Sequence, residues 1–499
     1  MKAVKRLRGR SAFAATIGVA AGIVAAGLVV PYVRVQAKDA SPTRPNAAST
    51  AAQGSSSSST DSASAEVTTT TLAAGTSAPA ASDSGASTAS STVPVSTART
   101  NSAPAQAQPV NRVTSNTINL GIALIDVGEA AQFGYDYDIG NEQARYQSLV
   151  NSINNAGGIN GRKIVPYFES FNAVDPTASS QAACIAWTQT DHVFAVLVES
   201  QFPTAAEVCI LDTGTPVITT QGTQQAYYAN GLFFTTMPSD DETLGDEADY
   251  LASSGSLTGK TVGVLTDTGT DDLAVQDSLV PDLQKLGYSV KDVEAIPDNT
   301  SGSQAIPVAI SNMQADGVNF VILAANVILS QPFVQSASQA GFNPRYAISD
   351  FNNQINQQVA SNYPSSFNGT VAFSQTRFAE YEAGAPFAPA DKACLNIVQP
   401  VDSTVLPTSN AAWPVAMGDC AVFDLFADAA RQAGSDLNLS SWVSALDNMG
   451  NMSIPDSQNG SFSTTKHWAD DYEQEVVWKS SCTCWQLIDG LSTPLRALQ

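Results

Sequence analysis

The run Asn151-Ser-Ile-Asn-Asn-Ala-Gly-Gly-Ile-Asn-Gly-Arg-Lys-Ile-Val-Pro-Tyr-Phe168 joins the end of one regular element to the start of another. Upstream of it, Ile139, Tyr146, Val150 and Ile153 recur at spacings that make the apolar stripe of a half-buried helix. Asn155 and the pair Gly157, Gly158 supply residues that tolerate the left-handed backbone a helix end often needs. Asn160-Gly161 is a turn dipeptide, and Ile164, Val165, Tyr167 and Phe168 then read as a strand. A helix that hands the chain to a strand in this way is the repeating step of an α/β fold.

The same step recurs on both sides of that run. Strands are expected at 118–125, 193–198, 216–219 and 232–236, with helices opening at Asp175-Pro176 and spanning 204–211. Asp suits an N-cap there, and Pro at the first helical position loses no hydrogen bond. Beyond Pro238 the rhythm restarts: helices at 242–251, 273–286, 304–314 and 332–340 alternate with strands at 261–265, 288–295, 320–325 and 346–349. Pro281 should kink or break its helix. After a strand at 371–373 come a long loop at 383–413, helices at 420–433 and 440–446, and strand-like runs at 475–478 and 484–488. Two comparable helix-covered sheets in tandem follow from this layout.

The ends differ in character. Lys2, Lys5, Arg6, Arg8 and Arg10 precede a nearly uncharged run at 11–33 that is long enough to cross a bilayer. This predicts export, with residues 1–37 as a signal peptide or an N-terminal membrane anchor, the length of the run favouring an anchor. Residues 38–112 are almost entirely Ser, Thr, Ala, Pro, Gly and Gln, a composition that cannot bury enough apolar area to order itself and so predicts a disordered tether.

The chain of 499 residues carries a formal net charge of −23, and nearly all its acids lie beyond Val113. Such a surface repels nucleic acid and anionic lipid. Six cysteines in an exported chain read as disulfides. Cys184 with Cys209, on consecutive helices, and Cys394 with Cys420, around a Pro-rich loop, are the expected pairs. Cys482 and Cys484 are neighbours in an extended run and should bridge only with strain. No metal site is expected, since the cysteine spacing lacks a second Cys or His pair. The two histidines give little material for a catalytic triad, and His192 reads as structural. No nucleophile elbow, phosphate loop, zinc-protease pair or dinucleotide fingerprint occurs, so neither an enzyme nor a cofactor is expected. The paired acids Asp240-Asp241 and Asp470-Asp471 read as solvated surface charge.

In open α/β sheets ligands bind beyond the carboxyl ends of the strands. Here those ends hold Asp126, Ser200 with Gln201, Thr219 through Thr223, Asp267, Asn326 and Asp350. Hydroxyls beside helix N-termini suit a carboxylate, and the aspartates suit an ammonium group. Helix capping is the competing role for each such residue.

The run Asn155-Ala-Gly-Gly-Ile-Asn-Gly-Arg-Lys-Ile164, followed by Asp175-Pro176 and by Pro216-Val-Ile-Thr219, resembles the leucine/isoleucine/valine-binding family. These are extracytoplasmic solute receptors of ABC importers with the type I periplasmic binding fold. The resemblance implies two Rossmann-like lobes with parallel central sheets joined by a three-crossing hinge, near 236–239, near 373–376 and in the tail. Lobe 1 would comprise 113–237 and 376–470, and lobe 2 would comprise 238–375 and 471–499. It further implies that Ser200 and Thr223 stand where relatives hold a ligand carboxylate, Asp350 where they place an acid on the ligand's ammonium group, and Phe133 on the aromatic of the first loop. Two departures count against a branched aliphatic ligand: Thr268-Gly-Thr-Asp-Asp272 replaces a Tyr-Gly pair, and Asn326 stands in a region often aromatic. A small amino-acid-like or other polar solute remains, delivered to a membrane permease, with the N-terminal segment substituting for a lipid anchor. A tethered sensory or cell-envelope domain is the alternative, and a secreted hydrolase a more distant one.

Overall fold

Asn160 and Gly161 adopt left-handed φ values of 50° and 84°, and Gly157 and Gly158 lie at 110° and 80°. At Gly158 this is required, because a Cβ there would stand 2.1 Å from the carbonyl of Arg162. The turn closes through paired backbone bonds between Ile159 and Arg162, and the Gly158 N–H returns to Ile153 O at 2.9 Å. It also stitches distant chain, since the Asn160 amide donates to the carbonyls of Ala430 and Arg431 and Arg162 donates to those of Thr114 and Ser435.

The computed structural model describes residues 112–129, 138–200, 202–297, 302–351, 355, 357–406 and 411–498. The export segment, all of the tether except Arg112, Phe133 and Gln201 lie outside the described residues. In chain order the first elements are β1 (Thr117–Asp126), α1 (Glu142–Asn155), β2 (Lys163–Asn172), α2 (Pro176–Ile185), β3 (Ala195–Val198), α3 (Thr204–Leu211), β4 (Val217–Thr219), α4 (Gln225–Tyr228) and β5 (Phe233–Thr235). Their strands form a five-stranded sheet in the order β2-β1-β3-β4-β5, parallel throughout.

A second series follows: α5 (Asp240–Ser253), β6 (Val262–Asp267), α6 (Thr270–Ala274), α7 (Val280–Lys285), β7 (Val290–Ile296), α8 (Ile306–Ala315), β8 (Phe320–Ala324), α9 (Val327–Gln339), β9 (Arg345–Ser349), α10 (Gln357–Ala360) and β10 (Val371–Ser374). The rest is α11 (Phe378–Glu382), α12 (Pro389–Val398), α13 (Ala412–Ala433), α14 (Leu439–Asp447), β11 (Gly450–Met452), β12 (Gly460–Phe462), β13 (Tyr472–Lys479), β14 (Cys484–Leu487) and β15 (Leu495–Ala497). The second sheet has eight strands, with β7-β6-β8-β9-β10 parallel and β13 added antiparallel, carrying β14 and β15. Both sheets are covered on two faces, which is why β6 and β8 read as continuous buried runs rather than alternating ones. On the first sheet one face packs under α1, α12, α13 and α14, with Trp442 edge-on to Phe194 and Phe234, and the other under α2 and α3.

The chain passes between the sheets at 236–239, at 375–377 and at 469–471. The first and last passages run side by side, with Ala469 N–H on Thr235 O at 3.0 Å and Asp470 N–H on Thr236 O at 2.9 Å.

Several local expectations are corrected. Ile139 precedes α1 instead of joining its stripe, and its carbonyl accepts from Arg145. Asp175 makes no side-chain cap; Asn172 Oδ1 instead accepts from the N–H groups of Val174 and Asp175. The break expected at Pro281 is present, since a π turn, Val275–Leu279, divides 273–286 and Pro281 stands in the first turn of α7. Pro332 does not open its helix but sits within α9, which Asn326 caps. The region 383–413, expected as a loop, contains α12, and α13 starts eight residues before Cys420. His192 lies before its strand with φ 50°, its ring against Thr188 O at 3.2 Å.

The two expected disulfides form: Cys184–Cys209 joins α2 to α3, and Cys394–Cys420 joins α12 to α13. Cys482 and Cys484 also bond, contrary to the extended-strand expectation, because Thr483 turns the chain with φ 52°. The Cys394–Cys420 bridge closes a sequence separation of 26, so Cys394→Ala/Cys420→Ala should cost about 3.5 kcal/mol by the loop-entropy account. Urea unfolding of the double variant measures this, and an unchanged midpoint would refute it.

Candidate ligand-binding cleft

The strand ends place the expected residues unevenly. On the first sheet Asp126 is exposed and its Oδ1 accepts from Gly128 N–H, a local turn bond. Ser200 is half-buried just after β3, and Thr219 and Thr223 are buried around the end of β4. Thr219 Oγ1 accepts from Gln221 N–H at 3.3 Å, and the Thr223 carbonyl accepts from Asp240 N–H at 3.0 Å.

On the second sheet Asn326 caps α9 by accepting from Leu329 N–H at 3.2 Å, so its side chain has structural work. Asp267 is buried, and its carboxyl is raised by burial against hydrogen bonds from Asp271 and Gly269. Asp350 is 1 % exposed. Its Oδ2 accepts from Ser374 Oγ at 2.8 Å and Gln375 N–H at 3.0 Å, while Oδ1 has no donor. Burial pushes its pKa up to about 6 although these bonds oppose the rise.

A small cavity of about 50 Å³ lies where the first sheet meets the passages between sheets. Its floor is Glu199, Thr220 and Gln221, beyond β3 and β4, and Gly418 and Ala421 of α13 form one wall. The passages supply Thr236, Thr376 and Asp470, and the loop between β11 and β12 supplies Asp456 and Ser457. Gly418 is specific to this packing, since a Cβ there would stand 2.7 Å from Glu199 Cγ and Oε1. A mid-helix glycine costs roughly 1 kcal/mol relative to alanine, so its presence lets the Glu199 side chain lie against the helix backbone.

Glu199 and Asp456 are absent from the sequence-based set, and Asp470, expected as surface charge, is corrected. Asp470 is 4 % exposed and Asp240 is 5 % exposed. Asp470 accepts from Ser457 Oγ, and burial pushes it up to about 8. Asp456 and Asp470 come from loops that return to the cleft more than 200 residues after β3, which adjacent sequence cannot show, whereas Glu199 directly follows β3. Neither the small cavity nor a larger hollow of about 470 Å³ between α5 and α7 is lined by Ser200, Thr219, Thr223, Asp267, Asn326 or Asp350.

Two sheets with parallel central strands, three passages between them and a cleft at the strand ends together make a binding-protein architecture. The family model described as "Periplasmic binding protein" matches residues 117–473, and the chain belongs to that family. Its similarity is to leucine/isoleucine/valine-binding proteins with the type I periplasmic fold. A possible leucine/isoleucine/valine-binding protein from Rhodopirellula baltica is 15% identical, with TM-score 0.56 over 77% of this chain and 97% of that one. A substrate-binding protein from Desulfitobacterium hafniense in complex with Leu is 14% identical, with TM-score 0.53 over 75% and 100%. A solute-binding protein from R. palustris in complex with 4-hydroxybenzoate is 13% identical, with TM-score 0.57 over 77% and 98%. Identities this low show the fold alone. No curated protein matches significantly. The family is extracytoplasmic and consists of receptors that bind small molecules. Among the described residues no helix is long and apolar enough to cross a membrane.

Proposed function

We propose that this protein captures a small polar solute between its two lobes, 113–237 with 376–470 and 238–375 with 471–499, and presents it to the permease of an ABC importer. The observation that carries this reading is the cavity bounded together by strand ends and by the passages between sheets. A ligand there touches the segments whose torsions set the lobe angle, so its binding energy can favour one arrangement over another. Ser200, Thr219 and Thr223, which adjoin the cavity floor in sequence without lining it, are the further contacts proposed from the first lobe, and Asp350 and Asp267 those from the second. Gln201 and Phe133 are proposed to join them, with Asn326 and Asp126 in supporting places. The N-terminal apolar segment would keep the receptor at the outer face of the membrane. The protein binds without turnover.

Calorimetry of the purified full chain against amino acids, amines, short peptides and sugars tests this. One class should bind with Kd below about 100 μM, equivalent to about 5.5 kcal/mol, and Asp350→Ala should weaken it at least tenfold. Unchanged binding in Asp350→Ala and Thr223→Ala would refute the site, and conversion of the bound compound would refute a pure receptor.

A further inference from the structure

We infer that the base of the cleft receives the cationic head of an amine-bearing solute, with Glu199 and Asp456 accepting its N–H groups. This deepens the proposed solute capture and rests on it.

Two carboxylate oxygens carry the argument. Glu199 is 4 % exposed and Asp456 is 8 % exposed; both line the same cavity, and neither Glu199 Oε2 nor Asp456 Oδ1 receives a hydrogen bond from the protein. Buried acceptors without donors cost free energy, and a guest rich in donors removes that cost. The backbone holds Asp456 in place from both sides: its N–H donates to Asp391 Oδ1 and its carbonyl accepts from Arg377 N–H at 3.0 Å.

The other lining groups point to the same chemistry. The hydroxyl proton of Thr220 goes to Glu199 O, that of Thr236 to Thr220 O, and that of Ser457 to Asp470. The neighbouring N–H groups are also committed, Thr220 to Val198 O, Met237 to Thr220 O and Ser457 to Ile454 O. These groups can therefore offer a guest mainly lone pairs. A carboxylate guest needs donors, and the side-chain donors left in the lining are the Gln221 amide and the Glu199 and Asp456 carboxyls while they hold their protons, which a cation displaces.

Among the described residues no lysine or arginine lines the cavity. Lys466 donates to the carbonyls of Ser461, Trp468 and Ala469, and Arg377 pairs with Glu380. Arg145, the cation nearest Glu199 in its electrostatic effect, is held by Asp419 and Asp402. Among the described residues no set of three or more His, Cys, Asp or Glu is arranged to hold a metal ion, so an organic cation fits better than a coordinated metal. About 50 Å³ is room for a small head group, since a water needs roughly 10–15 Å³ on the same measure.

Proton release should accompany binding. Burial, then Asp419 and Glu142, raises the Glu199 pKa against Arg145; burial, then Asp391, Asp350 and Asp470, raises that of Asp456. A cation stabilises the ionised acid, so affinity should increase as pH rises above the ordinary carboxylate range, by up to roughly tenfold per pH unit for one proton released.

The test is calorimetry of the full chain with butylamine and 1,4-diaminobutane against 1-butanol, butyrate, leucine and calcium chloride, in two buffers of different ionisation heat. An amine should bind at least tenfold more tightly than the comparators, with proton release, and Glu199→Gln and Asp456→Asn should each weaken it at least tenfold. Circular dichroism checks that each variant folds. Binding of leucine, butyrate or calcium without the amines would overturn this inference and leave solute capture standing. Absence of binding by every compound in this set and in the wider screen would overturn both. Equal amine affinity in the wild type and both variants would remove Glu199 and Asp456 from the site.

Discussion

Arg145→Met should lower the free energy of unfolding by about 3–5 kcal/mol, the usual cost of leaving a buried ionic partner uncompensated. Arg145 is fully buried beneath the strand ends of the first sheet. Its Nε donates to Asp419 Oδ2 at 2.6 Å and its Nη1 to Asp402 Oδ2 and Ile139 O, each at 2.7 Å. Asp402 also accepts from Asn141 and Thr404, and these bonds outweigh burial to hold its pKa below the usual range. The arginine thus joins α1, the loop after α12 and the middle of α13. Methionine fills part of the volume but strands Asp419, whose pKa burial already pushes up to about 6 despite the guanidinium. The deficit should therefore be larger at pH 8 than at pH 5, where Asp419 can take a proton. Arg145→Met/Asp419→Asn should recover at least about 1 kcal/mol relative to the single variant, since contacting sites couple. Urea denaturation at both pH values measures all of this, and a single-variant loss under about 1 kcal/mol would show that the network adds no net stability.

The same network explains why the fold is more legible in the sequence than the site. Apolar runs such as Val262–Asp267 and Phe320–Ala324, with turn residues between them, reveal buried parallel strands because that burial is local in sequence. α12 carries a legible signal of its own: Pro389 stands at its first turn, and Cys394, Leu395 and Val398 make a buried stripe. The prolines of the region suggest a loop, although Pro is favoured at that helical position. Pro332 misleads in the opposite sense, because α9 carries it internally and begins at an asparagine cap.

Glu199 adjoins Ser200, yet nothing local distinguishes its buried carboxyl from an exposed one. Its environment is made by Gly418, Asp456 and Arg145, which lie in separate parts of the chain. The pairs Asp240-Asp241 and Asp470-Asp471 show the same limit. Their first members are buried beside the passages between the sheets, while the second members are only half-buried. Charge and hydropathy patterns register the pair and cannot say which acid turns inward.

That burial sets the second large expectation: the protein should be more stable at pH 5 than at pH 8.5, by roughly 4–6 kcal/mol. Burial pushes Glu207, Glu247 and Asp470 each up to about 8, with nearby acids Asp240, Glu473 and Asp350 reinforcing the respective rises. A carboxyl whose folded pKa exceeds its unfolded value stabilises the fold fully below the unfolded pKa. That contribution is lost as pH rises through the folded pKa, so these groups act between about pH 4 and 8. Each pH unit separating the folded from the unfolded pKa corresponds to about 1.4 kcal/mol, which gives one such site a formal limit of several kcal/mol, and water penetration reduces what is realised. His467 acts in the opposite sense, its pKa lowered by burial against Asp447, but it is one group. Asp402, held low, contributes its pH dependence only at more acidic values. A net charge of −23 adds self-repulsion on the alkaline side. The melting temperature should therefore fall by roughly 5–10 °C from pH 5 to 8.5. Glu247→Gln should flatten part of that slope, because a neutral side chain at the fully buried position needs no proton, whereas a melting temperature that climbs across the interval would contradict the neutral state of these acids.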